Sequence, residues 1–256
     1  YQSGELEFKS HKVRIIRTQY KVMLVNLLYT THPWLPSDIV VDNEKLENER
    51  FDKVVVTDQT VSVTINVSSF NGIEYSDNGG AIHVVNAGFK CENVEFGECR
   101  SEEAGGAIYL SNSYQYTNSF ILEGLTFDRC EAKYGGAVYI YSSSVNNRAT
   151  VQHCIFTNND AYLTKSDSEN GKYGGSAIFM TARNGFIGSN ILQNNKGDAA
   201  VKIYNHFDKN EEESNKMQML ESNSQFVISN CKFEISKESS SCLFYFLGIY
   251  ASPFEL

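Results

Sequence analysis

The sequence predicts an all-β chain wound as a right-handed parallel β-helix of about six to seven coils with an N-terminal cap. Three observations carry this. A Gly-Gly-Ala-aliphatic phrase recurs at Gly79–Ile82, Gly105–Ile108 and Gly135–Val138, with variants at Gly175–Ile178, Asp198–Val201 and Ser240–Leu243. Before each comes a second phrase, an apolar residue or Cys followed five positions later by Phe or Leu: Ile65/Phe70, Cys91/Phe96, Leu122/Phe127, Val151/Phe156, Ile187/Leu192 and Ile228/Phe233. The small-residue anchors at 81, 107, 137, 177, 200 and 242 are separated by 26, 30, 40, 23 and 42 residues. Helical repeats keep a nearly fixed period, whereas strands joined by corner loops of free length tolerate such variation.

Composition agrees. A length of 256 residues suits one elongated all-β domain. With 41% hydrophobic and 21% charged residues the chain is globular, and 3 Pro exclude Pro-rich linkers. The 24 Asn and 18 Gly point to many tight turns. Net charge is −9 with no basic block, so no nucleic-acid partner is expected. The longest strongly apolar stretches, Val22–Tyr29 and Cys242–Tyr250, fall well short of the roughly 20 residues a membrane helix needs. No membrane span is expected in this chain, and any anchor is expected outside it.

Taken in chain order, residues 1–50 do not fit the repeat. They include Val22–Leu28 and His32-Pro33-Trp34-Leu35-Pro36 and are read as an N-terminal cap or separate β element. Residues 51–256 form the repeat domain, opened by Val54–Val56 and Val61–Val67. Ser111–Ser119, Leu163–Lys172 and Asn205–Asn223 are polar insertions at the corners. The last coil and its cap fall in Cys242–Leu256.

After each anchor, positions +1 and +3 are apolar: Ile82/Val84, Ile108/Leu110, Val138/Ile140, Ile178/Met180, Val201/Ile203 and Leu243/Tyr245. Alternation turns these inward and the anchors and +2 positions outward. Stacked parallel coils then cover the buried face. The structural turns are Gly79, Gly80, Gly105, Gly106, Gly135, Gly136 and Gly175, because a glycine admits positive φ where a Cβ clashes. Asn does similar work at the other corner and can stack in hydrogen-bonded ladders.

The outward +2 positions are His83, Tyr109, Tyr139, Phe179, Lys202 and Phe244, with Tyr141, Tyr204 and Phe246 at +4. This stripe is either an aromatic stack that stiffens the sheet or a docking face for a protein or a glycan. The binding residues expected on the second reading are Tyr109, Tyr139, Phe179, Tyr141 and Tyr204.

Six cysteines, Cys91, Cys99, Cys130, Cys154, Cys231 and Cys242, include no CxxC pair and no zinc spacing. Cys99 and Cys130 share one repeat offset on adjacent coils, about 4.8 Å apart, which allows either a disulfide or a ladder of buried thiols. Cys154 and Cys231 share another offset but stand two coils apart, too far for a bridge. One N-glycosylation acceptor, Asn66-Val67-Ser68, is present.

No catalytic residue emerges. Glycoside hydrolysis needs two placed carboxylates, yet the positions after each Phe/Leu are Asn71, Gly97, Asp128, Thr157, Gln193 and Glu234, with only two acids three coils apart. Nucleophile motifs are missing and the five His are scattered. Asp160, Asp167 and Glu169 lack the spacing of a calcium loop and read as solvated. Neither metal nor cofactor is expected.

The two phrases together resemble the repeats of the chlamydial-type polymorphic membrane proteins, which carry GGA[ILV] and FxxN motifs on a parallel β-helix passenger. Gly79–Ile82, Gly105–Ile108, Gly135–Val138 and Phe156-Thr157-Asn158-Asn159 match this pattern, over roughly Ile65 to Tyr245. Phe96 and Phe127 are followed by Cys rather than Asn at the third position, and the last two coils lack Gly-Gly. The resemblance implies adhesion or surface display. The expected function is therefore a non-enzymatic module of a larger surface or secreted protein, an adhesin acting through the outward stripe. The alternatives are an intracellular structural spacer docked in a large assembly and a polysaccharide lyase or hydrolase of the same fold.

Overall fold

In a computed structural model the structure describes residues 62–113, 118–143, 147–163, 173–182, 184–203 and 226–234. For 12–14, 38–42, 45–47, 54–56, 204–205 and 242–248 it describes the backbone strand alone. The described residues are all β with no helix. Every named strand pair is parallel, and the strands stack into long ladders, which is the arrangement of a parallel β-helix.

Each coil contributes one strand to each ladder in turn. The coil that begins at residue 88 shows the plan: Gly88–Glu92, Glu95–Gly97, the two-residue Arg100–Ser101, then Ile108–Asn112. The first three are called here the first, second and third sheets, and the strand after the Gly pair belongs to the fourth. Ladder register follows the repeat. Ile65, Cys91, Leu122, Val151, Ile187 and Ile228 are successive partners in the first sheet. Phe70, Phe96, Phe127, Phe156, Leu192 and Phe233 are successive partners in the second.

Strand pairing also runs upstream of residue 51. Asp38–Asp42 pairs with Ser62–Asn66, Lys45–Glu47 with Ser69–Asn71, and Lys12–Arg14 with Asp38–Asp42. Strands on both sides of residue 51 thus share the same ladders. At the other end, Cys242 pairs with Ala199 and Phe244 with Val201. The sequence had aligned Cys242 with Ala200, so this rung is one residue out of the expected register.

The interior is built of columns. Phe70, Phe96, Phe127 and Phe156 stack face to face at 5.1, 4.9 and 4.8 Å between centroids, with ring planes within 9°. These spacings equal the strand separation, so each coil adds one ring to the column. The +1 and +3 residues Ile82/Val84, Ile108/Leu110, Val138/Ile140, Ile178/Met180 and Val201/Ile203 are all buried in the same core. The anchors Ala81, Ala107, Ala137 and Ala177, expected to face outward, are also wholly buried in it. Alternation starts only with the strand at +1, and the anchor belongs to the corner before it.

Gly79, Gly105, Gly135 and Gly175 have φ of +68°, +69°, +63° and +68°. A Cβ on Gly80 or Gly106 would run into the carbonyl of the equivalent residue one coil on, Gly106 or Gly136. The first glycine of the pair therefore supplies a backbone conformation and the second a close approach. Ser176 replaces the second glycine in the fourth copy, and its hydroxyl donates to Ala199 O at 3.2 Å.

Two further corners turn through left-handed residues. One is at Val67, Asn93, Gly124, His153, Ser189 and Asn230, the other at Gly72, Glu98, Arg129, Asn158 and Asn194. Only some are the Gly or Asn that this conformation favours.

Candidate interaction surface and the aromatic column

The outward rung of the fourth sheet is built by register. His83, Tyr109, Tyr139, Phe179 and Lys202 are consecutive partners. Their rings form a second column, with centroids 4.9 Å apart for His83–Tyr109, 5.0 Å for Tyr109–Tyr139 and 5.3 Å for Tyr139–Phe179. His83 Nδ1–H donates to Asn78 O at 3.0 Å, which orients its ring.

The column is covered over part of its length. Tyr139 is 4% exposed, and Phe179 and Lys202 are 0% exposed, whereas Tyr109 and Tyr141 are half-buried. Tyr134, immediately before the left-handed Gly135, packs across Tyr139 and Phe179 at 5.6 and 5.7 Å. It is held there by single parallel bridges to Ala104 and Gly174. Beyond it, Lys202 Nζ lies 3.0 Å from the centroid of the buried Tyr173 ring, a cation–π contact on the next coil of the rung. The bulk of Tyr139 and Phe179 thus forms a small second core with Ala104. Facing alone placed these residues outside the sheet, and the residues preceding the Gly pairs supply the cover.

Burial shapes the acidity here. The Tyr134 phenol is pushed up to about 12, first by burial and then by Glu103 and Tyr109. Tyr109 is also raised, chiefly by burial, while its bond with Ser111 works the other way. Both phenols stay protonated at neutral pH. The Tyr204 side chain, the insertion Leu163–Lys172 apart from Leu163, Asp167 and Glu169 lie outside the described residues.

Beside this column the short third sheet carries a charged rung that sequence reasoning missed. Glu74, Arg100, Glu131 and Asp160 are register partners, and Asp160 bridges to Lys196. Each stands four residues after its Phe or Leu anchor, so the sequence carries the rung at that fixed offset. Arg100 pairs with Glu131 at 3.1 Å. Asp160 is raised by burial and then by Glu131, with Lys196 opposing. Lys133 and Glu103 pair at 2.5 Å, and Tyr162 O–H donates to Glu102 O at 3.2 Å.

Cys99 and Cys130 are free thiols, as are Cys91, Cys154 and Cys231. The Cys99 and Cys130 thiols lie within donor reach of the carbonyl of the Phe one coil earlier, Cys99 Sγ at 3.6 Å from Phe70 O and Cys130 Sγ at 3.8 Å from Phe96 O, and of the carbonyl two residues back, Gly97 O at 3.5 Å and Asp128 O at 3.8 Å. Asn159 and Asn195 donate through Nδ2 to the carbonyl of the Phe one coil earlier, Phe127 O and Phe156 O. Thiol and amide thus fill one structural role. Asn190 stands on the coil between Cys154 and Cys231: its Oδ1 accepts from Cys154 N at 2.8 Å, and its Nδ2 lies 4.0 Å from Cys231 Sγ.

Asn66, the glycosylation acceptor, is half-buried and ends its strand, followed by the exposed Val67. Ser68 Oγ donates to Asn66 O at 2.8 Å, so the acceptor tripeptide is folded onto itself. Among the described residues no group of three or more His, Cys, Asp and Glu is placed to hold a metal, and no helix is long and apolar enough to cross a membrane. No known protein family matches the chain, and neither a curated protein nor a solved structure is significantly similar to it.

Proposed function

We propose that the chain is a non-enzymatic, right-handed β-helix module of about six to seven coils with an N-terminal cap, part of a larger surface or secreted protein, and that it works by adhesion. The observation that carries this reading is the part of the fourth-sheet rung that its cover leaves half-exposed. The ladder presents Tyr109 and, one coil on and two residues further along the strand, Tyr141, with Tyr134 packed beside the same small core, while the interior is filled by side-chain columns. Half-buried tyrosines offer an apolar ring and a polar tip, which suits a protein or glycan partner laid along the coil. The repeat phrases, similar to those of the polymorphic membrane proteins, support the same reading.

A second reading rests on the thiols. Among the described residues five cysteines are free thiols and four of them are buried, which fits a reducing compartment, where the module would act as a structural spacer within an assembly.

The test is twofold. Intact source cells are treated with protease and a membrane-impermeant label. Digestion and labelling support the adhesin, and protection reversed by lysis supports the spacer. The folded Tyr109→Ser/Tyr141→Ser double variant is then compared with the wild type on arrays of glycans and surface proteins. Loss of binding with an unchanged far-ultraviolet spectrum is expected. Unchanged binding removes the stripe from the function.

A further inference from the structure

Register places four polar atoms without a hydrogen-bond partner among the described residues at one interior corner. They are Asn112 Oδ1, Ser142 Oγ, and both Oδ1 and Nδ2 of Asn147. Asn112 is 0% exposed, and Ser142 and Asn147 are each 1% exposed. Asn112 and Ser142 are register partners at the ends of their strands, on the inner side with Leu110 and Ile140. Asn147 directly precedes the strand Arg148–Gln152, two residues before the inward Ala149. These three side chains therefore line the passage from the fourth sheet into the first on neighbouring coils.

The coil before shows how protein atoms close the same corner. There Asn112 Nδ2 donates to Asn118 O at 3.0 Å. Phe120 pairs with Ala149, so counting back two residues sets Asn118 opposite Asn147. On the second coil Ser142 replaces Asn112, and a hydroxyl reaches one bond less far than an amide nitrogen. Ala149 also replaces the phenylalanines of the preceding rungs, Phe89 and Phe120. This rung thus lacks the polar bridge and carries a smaller side chain than the two rungs before it.

We propose that this corner is a buried hydration site, in which about one or two ordered waters bridge Asn112 Oδ1, Ser142 Oγ and the Asn147 amide. The chemistry selects water over a cation. The site offers acceptor oxygens and also an N–H donor, with no carboxylate among the three residues, and water answers both donors and acceptors. The bridge takes over the role that the Asn112 amide plays one coil earlier.

The experiment combines water-to-protein cross-relaxation NMR on the selectively labelled wild type with urea midpoints of Asn147→Leu and Ser142→Ala. Expected are direct water cross-peaks at the Asn147 side-chain amide, and a lower midpoint for both variants, since each removes an anchor of the bridge. No water cross-peak, together with a raised midpoint for Asn147→Leu, means the corner is dry and overturns the proposal. Should a variant fail to fold, the wild-type cross-peaks decide alone. Midpoints are expected to be equal in sodium, potassium and choline chloride at one ionic strength. A drop in choline alone puts a cation in the site and also overturns the proposal.

Discussion

Asn159 carries the backbone of Cys130: the Cys130 N–H donates to Asn159 Oδ1 at 2.9 Å, one coil away. Asn159 in turn is held by Asn195, whose Oδ1 accepts from Asn159 N at 3.1 Å and from Asn159 Nδ2 at 2.9 Å. The buried pair thereby accepts from the Cys130 and Asn159 amides through its carbonyls and donates to the Phe127 and Phe156 carbonyls through its Nδ2 groups. Asn159→Ala leaves the Cys130 amide without its partner and takes one of the donors from the Phe127 carbonyl. A loss of about 1–3 kcal/mol is expected in urea unfolding, because a buried orphaned group carries its full desolvation cost.

The thiols on the same rung make the converse prediction. Cys130→Asn extends the amide ladder upward, replacing a weak thiol donor at 3.8 Å with an amide that reaches Phe96 O. The variant is expected to be about as stable as the wild type or up to about 1 kcal/mol more stable. A loss larger than that in the same assay shows that thiol and amide are not interchangeable here.

Phe127 sits between two stacked rings and is 0% exposed. Phe127→Ala is expected to cost about 3–5 kcal/mol, and Phe127→Leu distinctly less, as cavity size dictates. Equal losses for the two contradict the column as the source of the stability.

Val67 turns a corner at φ +44° although it is β-branched and 57% exposed. The left-handed conformation costs a non-glycine residue roughly 1–2 kcal/mol. Val67→Gly is therefore expected to raise the unfolding midpoint by about 1 kcal/mol equivalent, while Gly105→Ala lowers it. A destabilised Val67→Gly contradicts the assigned backbone geometry.

Burial raises the interior thiols. Cys154 is pushed up to about 12, first by desolvation, and Cys91 and Cys130 lie well above their ordinary range for the same leading reason. In the unfolded chain these thiols ionise near the ordinary value of 9.0. Between that pH and the folded values the native state holds more protons than the unfolded state, so stability falls as pH rises. Thermal midpoints are expected to show no thiol contribution to their pH dependence at pH 7–8, then to decline from about pH 9 towards 12. Replacing Cys154 and Cys91 with Ala and Val flattens the decline. An identical slope in that variant assigns the effect to other groups.

Much of this architecture was legible because repeat phrases report register directly. Aligning Ile65, Cys91, Leu122 and Val151, or the Phe anchors, by sequence alone gives the pairing that the sheets adopt. Alternation does less. It says which side of a sheet Tyr139 and Phe179 occupy, but not that Tyr134 folds across them, because a bridge of one residue leaves no periodic trace. The left-handed corners at Val67, Glu98, Arg129 and His153 were hidden because their residue types do not advertise positive φ. Ala199 and Ala200 both look like anchors, and pairing rather than residue type selects Ala199 as the partner of Cys242.

Parallel in-register coiling is the central claim, and ring contacts along the phenylalanine column test it most directly. Selective phenylalanine labelling, with Phe→Leu variants for assignment, reads out ring-to-ring nuclear Overhauser contacts. The account predicts contacts Phe70–Phe96, Phe96–Phe127 and Phe127–Phe156 in chain order, at centroid spacings of 5.1, 4.9 and 4.8 Å, and none between Phe70 and Phe156. A missing Phe96–Phe127 contact, or a contact between Phe70 and Phe156, contradicts it.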